Sequence, residues 1–244
     1  MAEWNEQQRS QQQSFTGASV PRTGEVFDEG LRSHMLSIYN YMTSGILLTG
    51  VVAMLTASTG LAISFASGPM LWLVALSPLV VVMAMSFGRN KFSQATLQMM
   101  FWGFAILMGL SLSTIFLVYT GESIAVTFFA TAGAFAGLSL FGYTTKKDLS
   151  GFGTFLIMGV VGLIIASVIN MFIGSSIMSL VISFLGVLIF AGLTAYDTQR
   201  LKREYSMYRG TEYAGKAIIL GALSLYLDFI NMFLFLLRFM GSRE

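Results

Sequence analysis

The chain has 244 residues, 55% of them hydrophobic and 11% charged, with a formal net charge of +2 and no cysteine. Its mean hydropathy of +0.72 excludes a water-soluble globular domain, and zero cysteine excludes a disulfide framework, a thiolate metal site and a cysteine nucleophile. So small a net charge, without a basic stripe, offers nothing to nucleic acid.

Residues 1 to 36 are polar and rich in Gln, Ser and Glu. They are expected to form a disordered cytoplasmic tail with little to bury, in which Phe27 to Ser37 reads as a short amphipathic helix at the membrane surface. His34, the single histidine, is expected on the surface. The first apolar run starts only near Ile38, too late for a cleavable signal peptide.

Seven apolar runs follow, placing a single transmembrane domain over 37–244. They are Ile38 to Phe65, Leu71 to Gly88, Leu97 to Tyr119, Ile124 to Tyr143, Phe152 to Ile173, Ile177 to Asp197, and Ala217 to Met240. Each is long enough to cross a hydrocarbon core of ~30 Å as a helix. They are too uniformly apolar for the alternating strands of a barrel, the other architecture that satisfies its backbone in lipid. The expected fold is an all-α integral membrane protein with seven transmembrane helices. The polar turn Gly174 to Ser176 predicts that spans five and six pack as an antiparallel hairpin. No cofactor is expected.

Basic residues set the orientation. Arg89 and Lys91 lie between spans two and three, Lys146 and Lys147 between four and five, and Arg200, Lys202, Arg203, Arg209 and Lys216 between six and seven. With seven spans these loops share one side with the N-terminal tail, so the N-terminus is expected in the cytoplasm and the C-terminus outside. Arg238 and Arg243 count against this; a re-entrant last segment, returning the C-terminus to the cytoplasm, is the alternative.

Two acids, Asp197 and Asp228, interrupt the last two apolar runs. A carboxylate in hydrocarbon costs a few kcal/mol or more, and such groups usually face a bundle interior or a water-filled path. Asp197 ends span six and has Arg200 three residues on, an interfacial pairing worth a few tenths of a kcal/mol. Asp228 has no local cation: Lys216 and Arg238 are each ~15 Å or more away along a helix. Asn231, one turn on, is its nearest polar support. Spans six and seven run antiparallel, so the carboxyls can meet, although Asp197 reads as near the end of its helix and Asp228 as central. Two carboxyls at hydrogen-bonding distance in low dielectric would share one proton. The same oxygens are candidate ligands for a hard cation such as Ca²⁺. Gly133 and Gly137 make a small-xxx-small pattern expected to serve close helix packing. With one histidine, no zinc-type pair and no Ser-His-Asp set can be assembled, and no Walker loop is present.

At the residues Leu193-Thr194-Ala195-Tyr196-Asp197-Thr198-Gln199 and Leu223-Ser224-Leu225-Tyr226-Leu227-Asp228-Phe229-Ile230-Asn231 the chain resembles the Bax inhibitor 1 family. The run from Thr144 to Gly153 resembles the family's bacterial members. The resemblance covers about residues 35 to 241. It implies that the last of the seven helices is central and wrapped by the other six, and that the protein is a pH-sensitive calcium leak of the inner membrane. It implies that the aspartate pair, here Asp197 and Asp228, senses pH. A basic residue at the cytoplasmic end of span two acts in the family as a latch, and Arg89 and Lys91 both fall there. Some members carry an acid where this chain has Ser224, so functions needing that carboxylate are not carried over.

Two other classes fit some of the residues. An intramembrane aspartyl protease also uses paired carboxylates. However, Leu225-Tyr226-Leu227 stands where such enzymes have a Gly-x-Gly run, and their Pro-Ala-Leu element is missing, since the prolines are Pro21, Pro69 and Pro78. A regulatory protein that binds a membrane protease or a stress-response partner would use the polar tail or the Gly133/Gly137 face.

Overall fold

The computed structural model describes residues 23–65 and 68–242, with side chains described from Glu29 onward. The chain runs through α1 (Thr23–Ser58), a short α2 (Leu61–Phe65), α3 (Gly68–Gly88), α4 (Gln94–Leu112) with a 3-10 turn over Ser113–Leu117, α5 (Gly121–Thr144), α6 (Ser150–Ile173), α7 (Ser176–Tyr208) and α8 (Ala214–Met240). Seven of these are long and apolar enough to cross a membrane.

The ends of the helices follow from local chemistry. Ser93, Thr120 and Ser175 cap α4, α5 and α7, each hydroxyl accepting from the N–H three residues on, a donor left free by the helix itself. Gly174, with φ of 69°, ends α6 in the left-handed region. The Asn170 side chain accepts from Ser175 N–H at 3.1 Å, so the α6–α7 turn is the tight hairpin that its sequence predicted.

α8 is the most buried of the seven. It packs mainly on α7, α1, α5 and α4, whereas α3 leans on α4 and α6 leans on α7. The last helix is central, as the resemblance implied, but the contact is chiefly with four helices, the other two forming an outer layer. Tyr226 anchors it. Fully buried, it meets Phe101 and Phe104 of α4 edge-on, and its hydroxyl lies 2.7 Å from the Thr49 hydroxyl of α1, which donates to Ala105 O. Asp228 lies two residues on, about 200° around the helix, and so faces away from α1 and α4.

Three expectations change, and one alternative falls. The first helix begins at Thr23, not near Ile38. Leu31, Met35 and Ile38 bury themselves at helical spacing, so Phe27 to Ser37 continues the first span instead of forming a separate surface helix. The expected disorder of residues 1–22 lies outside the described residues. His34 is 7% exposed and packs against Tyr205 at 5.2 Å between ring centroids; it is a core residue because α1 extends below the first apolar run. Gly133 and Gly137 are exposed, with nothing within 4 Å of a Cβ placed on either, so they serve no packing within this chain. Finally, α8 is one continuous helix. Ser242 N–H donates to the Ser123 hydroxyl at 2.9 Å, and Thr120 N–H to Ser242 O at 3.3 Å. The chain end is therefore tied to the α5 entry, across the bundle from the basic loops, and is not re-entrant.

Candidate functional site

Asp197 and Asp228 come together because α7 is longer than hydropathy implied. Thr198 to Tyr208 reads as a polar loop, yet it continues the helix. Its polar side chains find partners there: Gln199 Nε2 donates to Lys147 O at 2.7 Å, Leu149 N–H donates to Gln199 Oε1, and Lys202 Nζ donates to Tyr143 O. Asp197 thus sits eleven residues before the end of α7, and Asp228 fourteen residues into α8. At 1.5 Å per residue both lie about 16–21 Å from the connecting turn. The two acids are at matching depth, and the mismatch expected from the sequence disappears.

Asp197 is 4% and Asp228 5% exposed, and their carboxyl groups are within hydrogen-bonding reach of one another. Asp197 has two further partners. Arg200 Nη1 lies 3.1 Å from its Oδ1, and the Ser224 hydroxyl donates to its Oδ2 at 2.6 Å. Arg200 Nη2 in turn donates to Ser224 Oγ at 3.0 Å. Ser224 and Asp228 are four residues apart on α8 and share a face, so they grip Asp197 from successive turns. Asp228 Oδ2 has no hydrogen-bond partner among the described residues.

Arg200 also reaches Glu204 Oε1, at 3.4 Å from Nε. A cavity of about 200 Å³ beside this pair is lined by Arg89, Arg200, Glu204, Tyr208 and Tyr213. Arg89 acts electrostatically on Glu204, whereas the exposed Lys91 lines no part of it. Of the two basic residues singled out at the end of the second span, the fold brings Arg89 to the site. Arg89 and Arg200 thus share this region with Asp197 and Glu204.

One expectation does not hold here. Asn231 does not support Asp228; its amide donates to Leu227 O at 2.8 Å, within its own helix. Asp197 and Asp228 together offer two carboxyls, and no group of three or more acidic, histidine or cysteine side chains occurs among the described residues. The sequence marked Ser224 only as a departure from the family's acid, and Glu204 not at all. Their signals were helical spacing: Ser224 four residues before Asp228, and Glu204 four residues after Arg200.

The comparisons place the chain in a family. The family model described as "Inhibitor of apoptosis-promoting Bax1" matches residues 31–244. An uncharacterized protein of Caulobacter vibrioides is 47% identical, covering 93% of this chain and 96% of its own. The uncharacterized protein RP147 of Rickettsia prowazekii is 44% identical over 90% of this chain and 94% of its own. The inner membrane protein YbhL of Escherichia coli is 44% identical over 88% of this chain and 94% of its own. A seven-span bundle around a buried last helix, with this match over nearly all of the described helices, makes the chain an integral membrane protein of the Bax inhibitor family.

Proposed function

We propose that the protein is a pH-sensitive cation leak, with Ca²⁺ as cargo, gated by Asp197 and Asp228. It would reside in a bacterial inner membrane, as the name of YbhL describes that relative, with its basic loops and N-terminus cytoplasmic. The observation that carries the reading is a pair of buried carboxyls within hydrogen-bonding reach, one from each of two antiparallel helices.

Asp197 has a cation and a hydroxyl to support its negative charge, and Asp228 has neither. The proton belongs on Asp228, which then donates to Asp197 and holds α8 against α7. When pH rises and the proton leaves, two anions face each other where little water screens them. The repulsion favours separation of α7 and α8 and opens a path beside the pair. Leak therefore rises with pH. Arg89 stabilises the anionic state across the small cavity and biases the balance. This reading gives the pair no hydrolytic role, because Arg200 engages one of the carboxyls that an aspartic protease would keep for its catalytic water.

Reconstitution in liposomes with an internal calcium dye tests the reading. Wild-type protein is expected to leak Ca²⁺ more as pH rises, and Asp228→Asn to stay at the closed level throughout. Equal flux and equal pH response in both proteins would remove the pair as the gate.

The exposed Gly133 and Gly137 face favours one second reading, a regulatory protein whose partner helix docks there. Co-purification of a membrane protein in mild detergent, lost in Gly137→Leu and accompanied by no flux, would support it over the leak.

A further inference from the structure

We infer that the cleft between α1 and α5 is a binding site for one anionic phospholipid, its acyl chain in the cleft and its phosphate at the basic rim. α1 and α5 both pack on α8 and share little contact with each other. Between them runs a groove of about 720 Å³, within the ~300–1,000 Å³ typical of small-molecule sites. Its walls are apolar, with Leu47 on α1 and Ala136 on α5, and Phe229 of α8 forms the floor. The groove lies along membrane-spanning segments of both helices, so lipid chains are the medium beside it.

What distinguishes this groove from an ordinary lipid-facing furrow is the chemistry at one end. Arg32 lines that end, and among the described residues it makes no ion pair. Tyr143 lines it too, and Lys202 lies over the Tyr143 ring at 4.8 Å. Lys202 belongs to a second cavity, about 480 Å³, that also holds Lys146 and Lys147. Its one acid, Asp148, is occupied by Arg203 at 2.7 Å. The α5–α6 loop that carries the lysines is held by the paired hydrogen bonds of Gln199, so the charges are displayed on a fixed frame. An apolar slot ending in several cations that form no ion pair among the described residues matches an amphiphile with an anionic head, and basic pockets between membrane helices on the cytoplasmic side are lipid-headgroup sites.

The site touches the aspartate pair from behind. Phe229 follows Asp228 in the chain, and Ser139, on the groove wall, accepts a hydrogen bond from Thr198, the neighbour of Asp197. The inference does not depend on ion flux; its readout is bound lipid.

Native mass spectrometry of the full chain in mild detergent, titrated separately with phosphatidylglycerol and phosphatidylcholine, tests it. Wild type is expected to retain one phosphatidylglycerol and to prefer it over phosphatidylcholine by about tenfold or more. Arg32→Gln is expected to weaken phosphatidylglycerol about fivefold, with Arg32→Lys largely restoring it. Ala136→Phe, which fills the slot, is expected to weaken both lipids, and Lys91→Gln to change neither. Thermal unfolding of each variant confirms that it is folded, and Arg32 is exposed enough to change without disturbing the core. A lipid-free monomer, equal retention of the two lipids, equal loss in Lys91→Gln, or a dimer of lipid-free chains would each overturn the proposal; the last would assign the groove to a second copy.

Discussion

Ser224 is wedged between Asp197 and Arg200: its hydroxyl donates to the Asp197 carboxylate at 2.6 Å while accepting from the Arg200 guanidinium at 3.0 Å. One hydroxyl thus joins α8 to both charges of an ion pair on α7. Ser224→Ala removes both bonds and leaves the ion pair itself. A hydrogen bond to a charged group contributes about 1.5–3 kcal/mol, so a loss of roughly that size is expected. A lower midpoint of thermal unfolding in detergent would record it, and an unchanged midpoint would show that Ser224 contributes nothing to holding the helices.

The two aspartates should respond differently to the same substitution. On the proposed assignment of the proton to Asp228, Asp228→Asn replaces a protonated carboxyl by an uncharged amide of similar shape, so the stability change is expected to be under about 1 kcal/mol, the scale of one net hydrogen bond. Asp197→Asn leaves Arg200 with Glu204 as its one acidic partner and Ser224 as an uncharged one. Breaking a fully buried pair costs about 3–5 kcal/mol, but Arg200 is a third exposed and solvent screens it, which lowers the expectation to about 1–3 kcal/mol. Thermal unfolding ranks the pair; the reverse order would place the proton on Asp197.

Arg89 and Lys91 separate in a flux experiment. In the proposed gating, opening creates negative charge near Arg89, so removing that cation disfavours the open state and demands a higher pH. For Arg89→Gln the midpoint of Ca²⁺ leak against pH is expected to move upward by a few tenths of a unit, the scale of a partly exposed charge pair. For Lys91→Gln it should not move. Equal shifts would mean that only the net charge of the loop matters.

Asp148 gives a second, purely structural pH dependence. Hydrogen bonds from the Ser150 hydroxyl and N–H, together with Arg203, hold its carboxyl below the usual carboxylate range. A value lowered in the folded state means the support is complete above the unfolded value of about 3.9 and is lost as pH falls through the folded one. Amide exchange over residues 145–150, corrected for its intrinsic rate, should be flat above about pH 5 and rise below about pH 4. Asp148→Asn should exchange fast at both. Because the loop is exposed, global unfolding should hardly change.

How much of this was legible depended on which physical signal each residue carries. The seven spans were plain, since long apolar runs have one architecture in lipid. Asp197 and Asp228 stood out because charge in an apolar run is rare. The ends of α1 and α7 were not legible. Thr198 to Tyr208 is polar, and its partners lie far off in sequence, in the α5–α6 loop, at the end of α5 and on α8. His34 was misplaced for the same reason: its burial depends on Tyr205, 171 positions away. Arg89 and Lys91 are two residues apart in a turn, and side-chain direction there follows from the packing of α3 against α4, which no local pattern encodes.

The glycines show the same limit and give a last test. Gly133 and Gly137 have the familiar spacing, but they are exposed and touch nothing. Gly142, which no spacing marks, is where the α5 and α7 backbones meet: a Cβ there would collide with Ala195 O, two residues from Asp197. In a helix Gly→Ala gains about 1 kcal/mol from propensity. At 133 and 137 that gain is unopposed, so both alanine variants should be as stable as wild type or slightly more so. At 142 the obstacle is backbone, which cannot rotate aside, and overpacking of this kind costs about 1–3 kcal/mol. Gly142→Ala should therefore be net destabilising in thermal unfolding. Because the strain falls on the segment that presents Asp197, it should also raise basal Ca²⁺ leak at low pH. A Gly142→Ala protein with wild-type stability and leak would mean that α5 and α7 separate without consequence, and that the pair is not held by their contact.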